Sequence, residues 1–299
     1  MRVIDIPVAY FEGIAVEERA KTQARVKIIS TGANQIAQQM NVDPEFARVA
    51  VKKYGQKIVR EQVNLDKVSE IAAHQIHQDA IHSESKPDET TEIPPINEDW
   101  LNNFEKEASQ KSTEEMQLLF GRILAREIQQ PSSFSIKTVK LLGELDSGAA
   151  TLFRHLCSLC VSLKVDSIYI VDARVPSLGG NASSNALQSY GLGFGQLNVL
   201  QEYGLIISDY NSYMDYQMCI TNENNEVRLA FSHQDCDYGL IPSPERLKNQ
   251  ELRLSGVALS RSGTELLRIV DIEPSSNYTT ALIEYFATQY LQMVKITKQ

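Results

Sequence analysis

Three histidines and an aspartate near residue 80 are the residues whose types best suit metal chemistry. His74, His77, Asp79 and His82 lie within nine positions of one another, and imidazole and carboxylate groups are common ligands of zinc. A metal needs ligands that converge in space, and the spacing on one helix names no fourth ligand. We interpret the group as the exposed polar end of a helix, and we expect no metal-binding residue in the chain.

A second candidate for chemistry is the pair Cys157 and Cys160, with His155 two residues before the first thiol. Residues two apart on a helix point in different directions, and an apolar helix face raises the pKa of a thiol and leaves it unreactive. The other two cysteines, Cys219 and Cys236, form no second close pair. We interpret the cysteines as buried free thiols rather than as a zinc knuckle, a redox centre or a nucleophile.

The glycines from Gly191 to Gly195 resemble a phosphate-binding loop only superficially. No strand leads into them and no Lys-Ser or Lys-Thr pair follows, so we interpret them as a turn before a helix. The motifs of serine hydrolases, zinc proteases and nucleotide-binding loops are missing from the sequence. We therefore expect a non-catalytic protein without catalytic residues and without a cofactor.

Charge is unevenly distributed along the chain, which has a formal net charge of −9. Residues 1–82 have 11 Lys and Arg against 10 Asp and Glu, whereas residues 83–145 have 7 against 12 and residues 146–299 have 11 against 16. An acidic C-terminal body repels phosphate backbones, so nucleic acid is a less favoured partner than protein. Basic residues cluster in one place, at Lys52, Lys53, Lys57 and Arg60. We interpret this cluster as either a solvated helix face or a nucleic-acid contact.

The middle of the chain has the pattern of packed helices. Ser112 and Glu115 form a capping box that predicts a helix start, and Pro131 predicts its end. Asn97 or Asp99 can cap a helix before it, and Ser135 and Asp146 can cap two helices after it. The predicted structural core is Trp100, Phe104, Met116, Leu119, Phe120, Ile123, Leu124 and Phe153.

Upstream, Asp43-Pro44 predicts the start of a helix that runs to about Ile81. Its apolar residues are sparse, and they include Phe46, Val49, Val59 and Val63. Such a stripe needs cover from another chain or from the central helices. Strict heptads are not sustained, so a coiled coil is one option among several. We predict self-association through these N-terminal helices, with another protein partner as an alternative.

The C-terminal part mixes strands and helices. Short strand-like runs, a hairpin turn at Asn222–Asn225, a capped helix after Ser262 and a final helix over about Asn277–Val294 suggest a winged-helix-like element. The predicted fold class is mostly α with a smaller α+β C-terminal domain of winged-helix-like character. The predicted domains are a helical arm at 1–82, an acidic Pro-containing linker at 83–96, a compact helical module at 97–163 and the α+β domain at 164–299.

The order of Trp100, the segment from Met116 to Ala125, Pro131 and the segment from Phe134 to Val139 resembles a bacterial family known as domain of unknown function 2806. Similar helices occur in some abortive-infection proteins, so the resemblance implies a bacterial source and a possible part in defence against phage. It implies no catalytic residue. Without a signal-peptide pattern or a run of about 20 apolar residues, we predict a cytoplasmic interaction or scaffold protein with no membrane insertion. The alternative function is a DNA-binding regulator that uses the winged-helix-like segment.

Overall fold

The computed structural model describes residues 16, 19–28, 31, 38, 42–82, 95–165, 169–222, 227–247 and 250–296. The chain divides into two compact units, residues 1–143 and residues 144–299. Most of the predicted linker at 83–96 and the centre of the predicted turn at Asn222–Asn225 lie outside the described residues. Within the described part of the chain, no helix is both long and apolar enough to cross a membrane.

Helices form the first unit. Residues 19–28 are helical, and the helices after them are α1 (Pro44–His82), α2 (Glu98–Ala108), α3 (Glu114–Gln129) and α4 (Ile136–Glu144). Of the two predicted alternatives, Asn97 and Asp99, Asn97 is the cap of α2, since it accepts the backbone N–H of Trp100 at 3.1 Å. The predicted capping box at Ser112 was wrong, since α3 begins at Glu114 after Thr113 and has no side-chain cap.

Aromatic stacking holds the core of the first unit together. The rings of Trp100 and Phe104 stack with centroids 5.1 Å apart, and Phe104 meets Phe120 edge-on at 5.6 Å. The Trp100 indole N–H donates to the carbonyl of Phe134 at 2.9 Å, which fixes the loop after α3. Of the predicted core, Met116 and Leu119 are half-buried, and the buried members are Trp100, Phe104, Phe120, Ile123, Leu124 and Phe153, the last in the second unit.

Helix α1 lies parallel to α3 along its C-terminal half. Asn64 of α1 accepts from the amide of Gln117 at 3.3 Å, and Asp79 accepts from the amide of Gln129 at 3.0 Å. The two backbones approach closely at Gly121, where the absence of a side chain makes room for α1. The N-terminal half of α1 makes no such contact with α3, and it forms an arm with residues 19–28.

A curled antiparallel sheet of seven strands forms the second unit, with the order β3-β6-β2-β1-β4-β5-β7. Its strands are β1 (Val161–Val165), β2 (Tyr169–Pro176), β3 (Tyr213–Asp215), β4 (Phe231–His233), β5 (Cys236–Pro242), β6 (Arg253–Ala258) and β7 (Leu291–Lys295). The helices of this unit are α5 (Ser147–Leu159), α6 (Phe194–Glu202), α7 (Arg261–Leu267) and α8 (Ser276–Thr288). The core includes Phe231 from the sheet and Leu282 and Phe286 from α8.

The predicted fold class, mostly α with a small winged-helix-like domain, was therefore wrong. Strand β4 pairs with both β1 and β5, so strands that are distant in sequence join one sheet. Gln234 and Asp235, both with positive φ, form the hairpin turn between β4 and β5, and residues 217–219 form a 3-10 helix. The predicted final helix ends at Thr288, because Tyr290 takes a positive φ and the chain continues as β7.

Candidate functional site

The arm is a helical hairpin in which residues 19–28 lie antiparallel to α1. The guanidinium of Arg19 donates to Asp66 at 2.9 Å, and the Thr22 hydroxyl donates to Gln62 at 2.7 Å. Further along, Val26 lies near Gly55 of α1. These contacts are mostly polar, and among the described residues of the first helix only Thr22 is buried. The described contacts therefore leave much of the arm's apolar surface accessible.

An open groove lies between the two helices of the arm. Its volume is about 370 Å³, and its lining is apolar except for two side chains. Gly55 contributes no side chain to it, and a Cβ at this position would only touch Val26, at 3.9 Å. The lining residues are Val26, Val51, Lys52, Gly55, Gln56 and Val59.

A second apolar feature runs along α1 at steps of seven residues. Val49 is 49% exposed and Val63 is 59% exposed, and the exposed Gln56 lies midway between them. At 100° per residue, both valines lie within about 20° of Gln56 around the helix. We call Val49, Gln56 and Val63 the valine face. The helix of residues 19–28 leaves this face exposed, since its contacts Gly55, Gln62 and Asp66 lie about 80–120° to one side.

Basic side chains flank the valine face on the side away from the helix of residues 19–28. Lys53, Lys57 and Arg60, which we call the basic stripe, lie about 40–100° from Gln56 around the helix, and all three are exposed. Lys57 is 3.6 Å from Glu61, in a solvent-exposed pair of little energetic weight. The fourth predicted contact residue, Lys52, lies on the other side of the valine face and lines the groove. The structure thus separates Lys52 from the other three.

The residues that suggested a metal site lie at the C-terminal end of α1. His74 and His77 are exposed, and the side chain of His82 lies outside the described residues. Both oxygens of Asp79 already accept hydrogen bonds, from the amides of Gln75 and Gln129. Across the described ranges, no three His, Cys, Asp or Glu residues are placed to hold a metal ion.

The cysteine pair lies in the interior of the second unit. Burial raises the pKa of the Cys157 and Cys160 thiols, so both stay protonated near neutral pH. His155 is exposed, and its Nε2–H donates to the carbonyl of Tyr190 at 2.7 Å. This imidazole therefore anchors a loop instead of activating a thiol.

The glycine run from Gly191 to Gly195 leads into α6, which begins at Phe194, and the first backbone N–H of this helix already has an acceptor. Asn185 accepts a hydrogen bond from the N–H of Phe194 at 2.7 Å, which caps the helix. Gly191 has φ +79°, and a Cβ there would lie 3.0 Å from Nε2 of His155. The run is a turn that accommodates this imidazole. Nothing in the local spacing indicated that Asn185, nine residues earlier, would be the cap.

Sequence reasoning missed a polar cluster inside the sheet. Arg174 is 3% exposed, and its guanidinium donates twice to Asp172 at 2.7 Å and also to the carbonyls of Ser212 and Leu254. The Tyr216 hydroxyl donates to Asp172 at 2.9 Å, and burial raises the pKa of this hydroxyl well above its usual value. Because these groups are buried and satisfied by one another, we assign them to the architecture of the sheet.

The buried His233 connects the sheet to α8. Its Nδ1–H donates to the carbonyl of Cys160 at 2.9 Å, and its Nε2 lies 3.0 Å from the hydroxyl of Thr279. Burial lowers the pKa of this imidazole. An imidazole beside a hydroxyl suits nucleophilic catalysis, but the ring is 1% exposed and out of reach of a substrate. The groove, the valine face and the basic stripe, in contrast, are accessible from solvent.

The family model described as a protein of unknown function, DUF2806, matches residues 48–283. The chain belongs to this family. The predicted resemblance is confirmed, and it extends well beyond the helical segment that suggested it. Comparison with curated proteins gives no match, and comparison with solved structures gives none.

The DUF2806 match includes most of α1 and nearly the whole sheet, and it stops before β7. The valine face and the basic stripe lie inside it, whereas the helix of residues 19–28 lies outside it. The part of the arm that carries the valine face and the basic stripe therefore belongs to the family region.

Proposed function

We propose that this protein acts by binding, as a non-catalytic interaction protein that pairs with a second copy of itself through the valine face. The observation that carries the proposal is the placement of two exposed valines seven residues on either side of Gln56. Exposed apolar side chains in a row on a helix are a typical contact surface for another helix.

The valine face is complementary to itself when two α1 helices lie antiparallel with Gln56 at the centre. Val49 of one copy then lies opposite the partner's Val63, and the reverse contact forms at the other end. The same register brings Glu45 opposite the partner's Lys67, so that opposite charges meet at both ends. The ion pair of Lys67 with Glu70, at 3.0 Å, is exposed to solvent and therefore costs little to exchange. Gln56 meets the partner's Gln56 at the centre of this register. Lys52 then lies at the level of the partner's Arg60, so like charges flank the centre and oppose the pairing.

Val59 borders the seam, so that each copy contributes three valines that are about half exposed. Burying what remains exposed of six such side chains contributes on the order of 5–9 kcal/mol. That corresponds to roughly four to six powers of ten in the association constant. The valines therefore decide whether the pair forms, and we expect association that depends on protein concentration.

Sedimentation velocity over a range of protein concentrations tests this proposal. The variant V49Q/V63Q removes both ends of the valine face without changing charge or lowering helix propensity, and we expect a dissociation constant at least about 100-fold higher. V199Q is the matched control, because Val199 is an exposed valine on α6. A wild-type protein that stays monomeric at every concentration, or a double variant that associates as well as V199Q, would refute the proposal.

Two other functions were predicted from the sequence. A DNA-binding regulator built on a winged helix loses its basis, because the second unit is a seven-stranded antiparallel sheet. The cytoplasmic location and the link to phage defence stay predictions from the sequence and the resemblance.

A further inference from the structure

We infer that the paired arms form a binding site for the phosphate backbone of double-stranded nucleic acid, built from the basic stripes of two copies. This inference rests on the proposed pairing through the valine face. It differs from that proposal in its ligand, in its residues and in its test.

The charge of the arm is opposite to that of the chain as a whole. Residues 19–28 and 42–63, the described part of the arm, carry nine Lys and Arg against three Asp and Glu, a net charge of +6. Glu17 and Glu18 precede this stretch and lie outside the described residues. The whole chain has a net charge of −9. A positive surface on an otherwise acidic protein attracts a polyanion to that surface alone, because the rest of the molecule repels the polyanion.

The pairing geometry brings the two basic stripes to the same side. Two antiparallel helices in contact are related by a two-fold axis perpendicular to the plane that contains them, so a side chain above this plane remains above it in the partner. Lys53, Lys57 and Arg60 lie to one side of the seam, about 40–100° from Gln56. They therefore lie above this plane in both copies.

The six cations of the pair are close together. Each stripe extends about 10 Å along its helix, because seven residues at 1.5 Å separate Lys53 from Arg60. The antiparallel register makes the two stripes overlap around Gln56, and packed helix axes lie about 8–10 Å apart. Such a cluster suits a duplex, which carries one negative charge per ~1.7 Å of its axis.

The stripe provides charge but few means of reading a sequence. Two of its three side chains are lysines, which bind phosphate as point charges, and the helix of residues 19–28 occupies the opposite side of α1. We therefore expect binding that depends on backbone charge and hardly on base sequence.

Like charges on the two stripes oppose pairing in the absence of a polyanion. A duplex that binds both stripes removes this repulsion, and binding then stabilises the pair by mass action. Linkage requires the converse, so pairing must also strengthen duplex binding. V49Q/V63Q should therefore weaken duplex binding although it leaves every basic residue in place.

Fluorescence anisotropy with a labelled 20-base-pair DNA duplex, at salt concentrations from 50 to 200 mM, tests the inference on the full chain. With six phosphate contacts, the logarithm of affinity should fall with the logarithm of salt at a slope of about −5, or roughly 1,000-fold over this range. The variant K53Q/K57Q/R60Q should lose nearly all of this slope while its sedimentation still shows the pair. The control K106Q/K137Q/K140Q removes the same charge from exposed positions on α2 and α4 and should bind as the wild type does.

The outcomes separate this inference from the proposed function. If the wild type pairs but the arm triple variant binds the duplex as tightly as the α2 and α4 control, the inference fails and self-association stands. If V49Q/V63Q becomes monomeric and binds the duplex undiminished, the shared site is refuted. Binding to vesicles with 30% phosphatidylserine but not to the duplex would also overturn it, in favour of an anionic membrane surface.

Discussion

Gly121 of α3 lies so close to Ile71 of α1 that a Cβ on the glycine would be 2.5 Å from Cγ2 of Ile71. The carbonyl of Val68 would be 3.3 Å from the same Cβ, so backbone as well as side chain limits the space. This contact sets the distance between the two longest helices of the first unit. Because the space at Gly121 is so small, an alanine there reports on packing as well as on helix propensity.

The same substitution at two helical glycines of the first unit should have opposite effects. Gly121→Ala forces α1 and α3 apart, and we expect the free energy of unfolding to fall by about 1–3 kcal/mol. Gly55→Ala makes only an ordinary contact with Val26 at 3.9 Å, and we expect a gain of up to about 1 kcal/mol from helix propensity. Urea unfolding followed by tryptophan fluorescence reports on this unit, because Trp100 is the only tryptophan in the chain. Destabilisation of equal size at both positions would contradict the close contact.

Glu127 should stabilise the loop after α3 through its charge. Its carboxylate is buried and accepts the backbone N–H groups of Ser132 at 2.6 Å and Phe134 at 3.0 Å. Glu127→Gln places an amide NH₂ against one of these donors, and we expect a loss of about 1.5–3 kcal/mol in the same fluorescence assay. Glu114→Gln, in the exposed first turn of α3, should cost only a few tenths of a kcal/mol. Equal losses in the two variants would exclude this role for Glu127.

His233 should make the second unit less stable in mild acid. Burial lowers the pKa of the folded-state imidazole below its unfolded value of about 6.5. The unfolded chain therefore takes up the proton first, so the contribution is complete above about pH 6.5 and is lost as pH falls towards the lower folded-state pKa. We expect the urea midpoint, followed by tyrosine near-UV circular dichroism, to decline from pH 7.5 to pH 5. His233→Gln should flatten this decline, whereas the exposed-site variant His77→Gln should retain it.

Thiol reactivity should distinguish Cys236 from the other three cysteines. Burial raises the pKa of Cys157 and Cys160, and it raises the pKa of Cys219 to about 12, whereas Cys236 is half-buried. At pH 8 we expect one of the four thiols to react quickly with Ellman's reagent in the folded protein and all four in guanidinium chloride. Cys236→Ser should abolish the fast reaction. Fast labelling of two thiols in the folded wild type would contradict the burial of Cys157, Cys160 and Cys219.

Local signals in the sequence predicted much of the helical part. Asp146 was predicted as a helix cap, and Asn97 was one of two predicted alternatives with Asp99. Asn97 and Asp146 both accept the backbone N–H three residues on, from Trp100 and Ala149. Such signals succeed because the donor and the acceptor are three residues apart. Cover for the apolar stripe that includes Val49 and Val63, from outside its helix, stays a prediction.

Relationships over long sequence separations were not predictable in this way. The partners of Arg174 include Ser212 and Leu254, 38 and 80 residues away, and their proximity depends on strand register. The segment after Tyr290 was assigned to the final helix, and Leu291 was counted among the apolar residues of that helix. Leu291 and Met293 instead alternate as buried residues of β7. The order of strands in the sheet, and with it the fold class, depends on such pairings.

Helix α1 is continuous for 39 residues, about 58 Å, from the arm into the packed helices of the first unit. Its backbone hydrogen bonds make it a rigid lever, so rotation of the arm about the helix axis must be transmitted to the turns that carry Val68 and Ile71. A partner that fixes the orientation of Val49 therefore also restricts the movement of α1 where it packs against Gly121. Hydrogen exchange of the backbone amides where α1 packs against α3 should consequently slow when a partner binds the N-terminal end of α1.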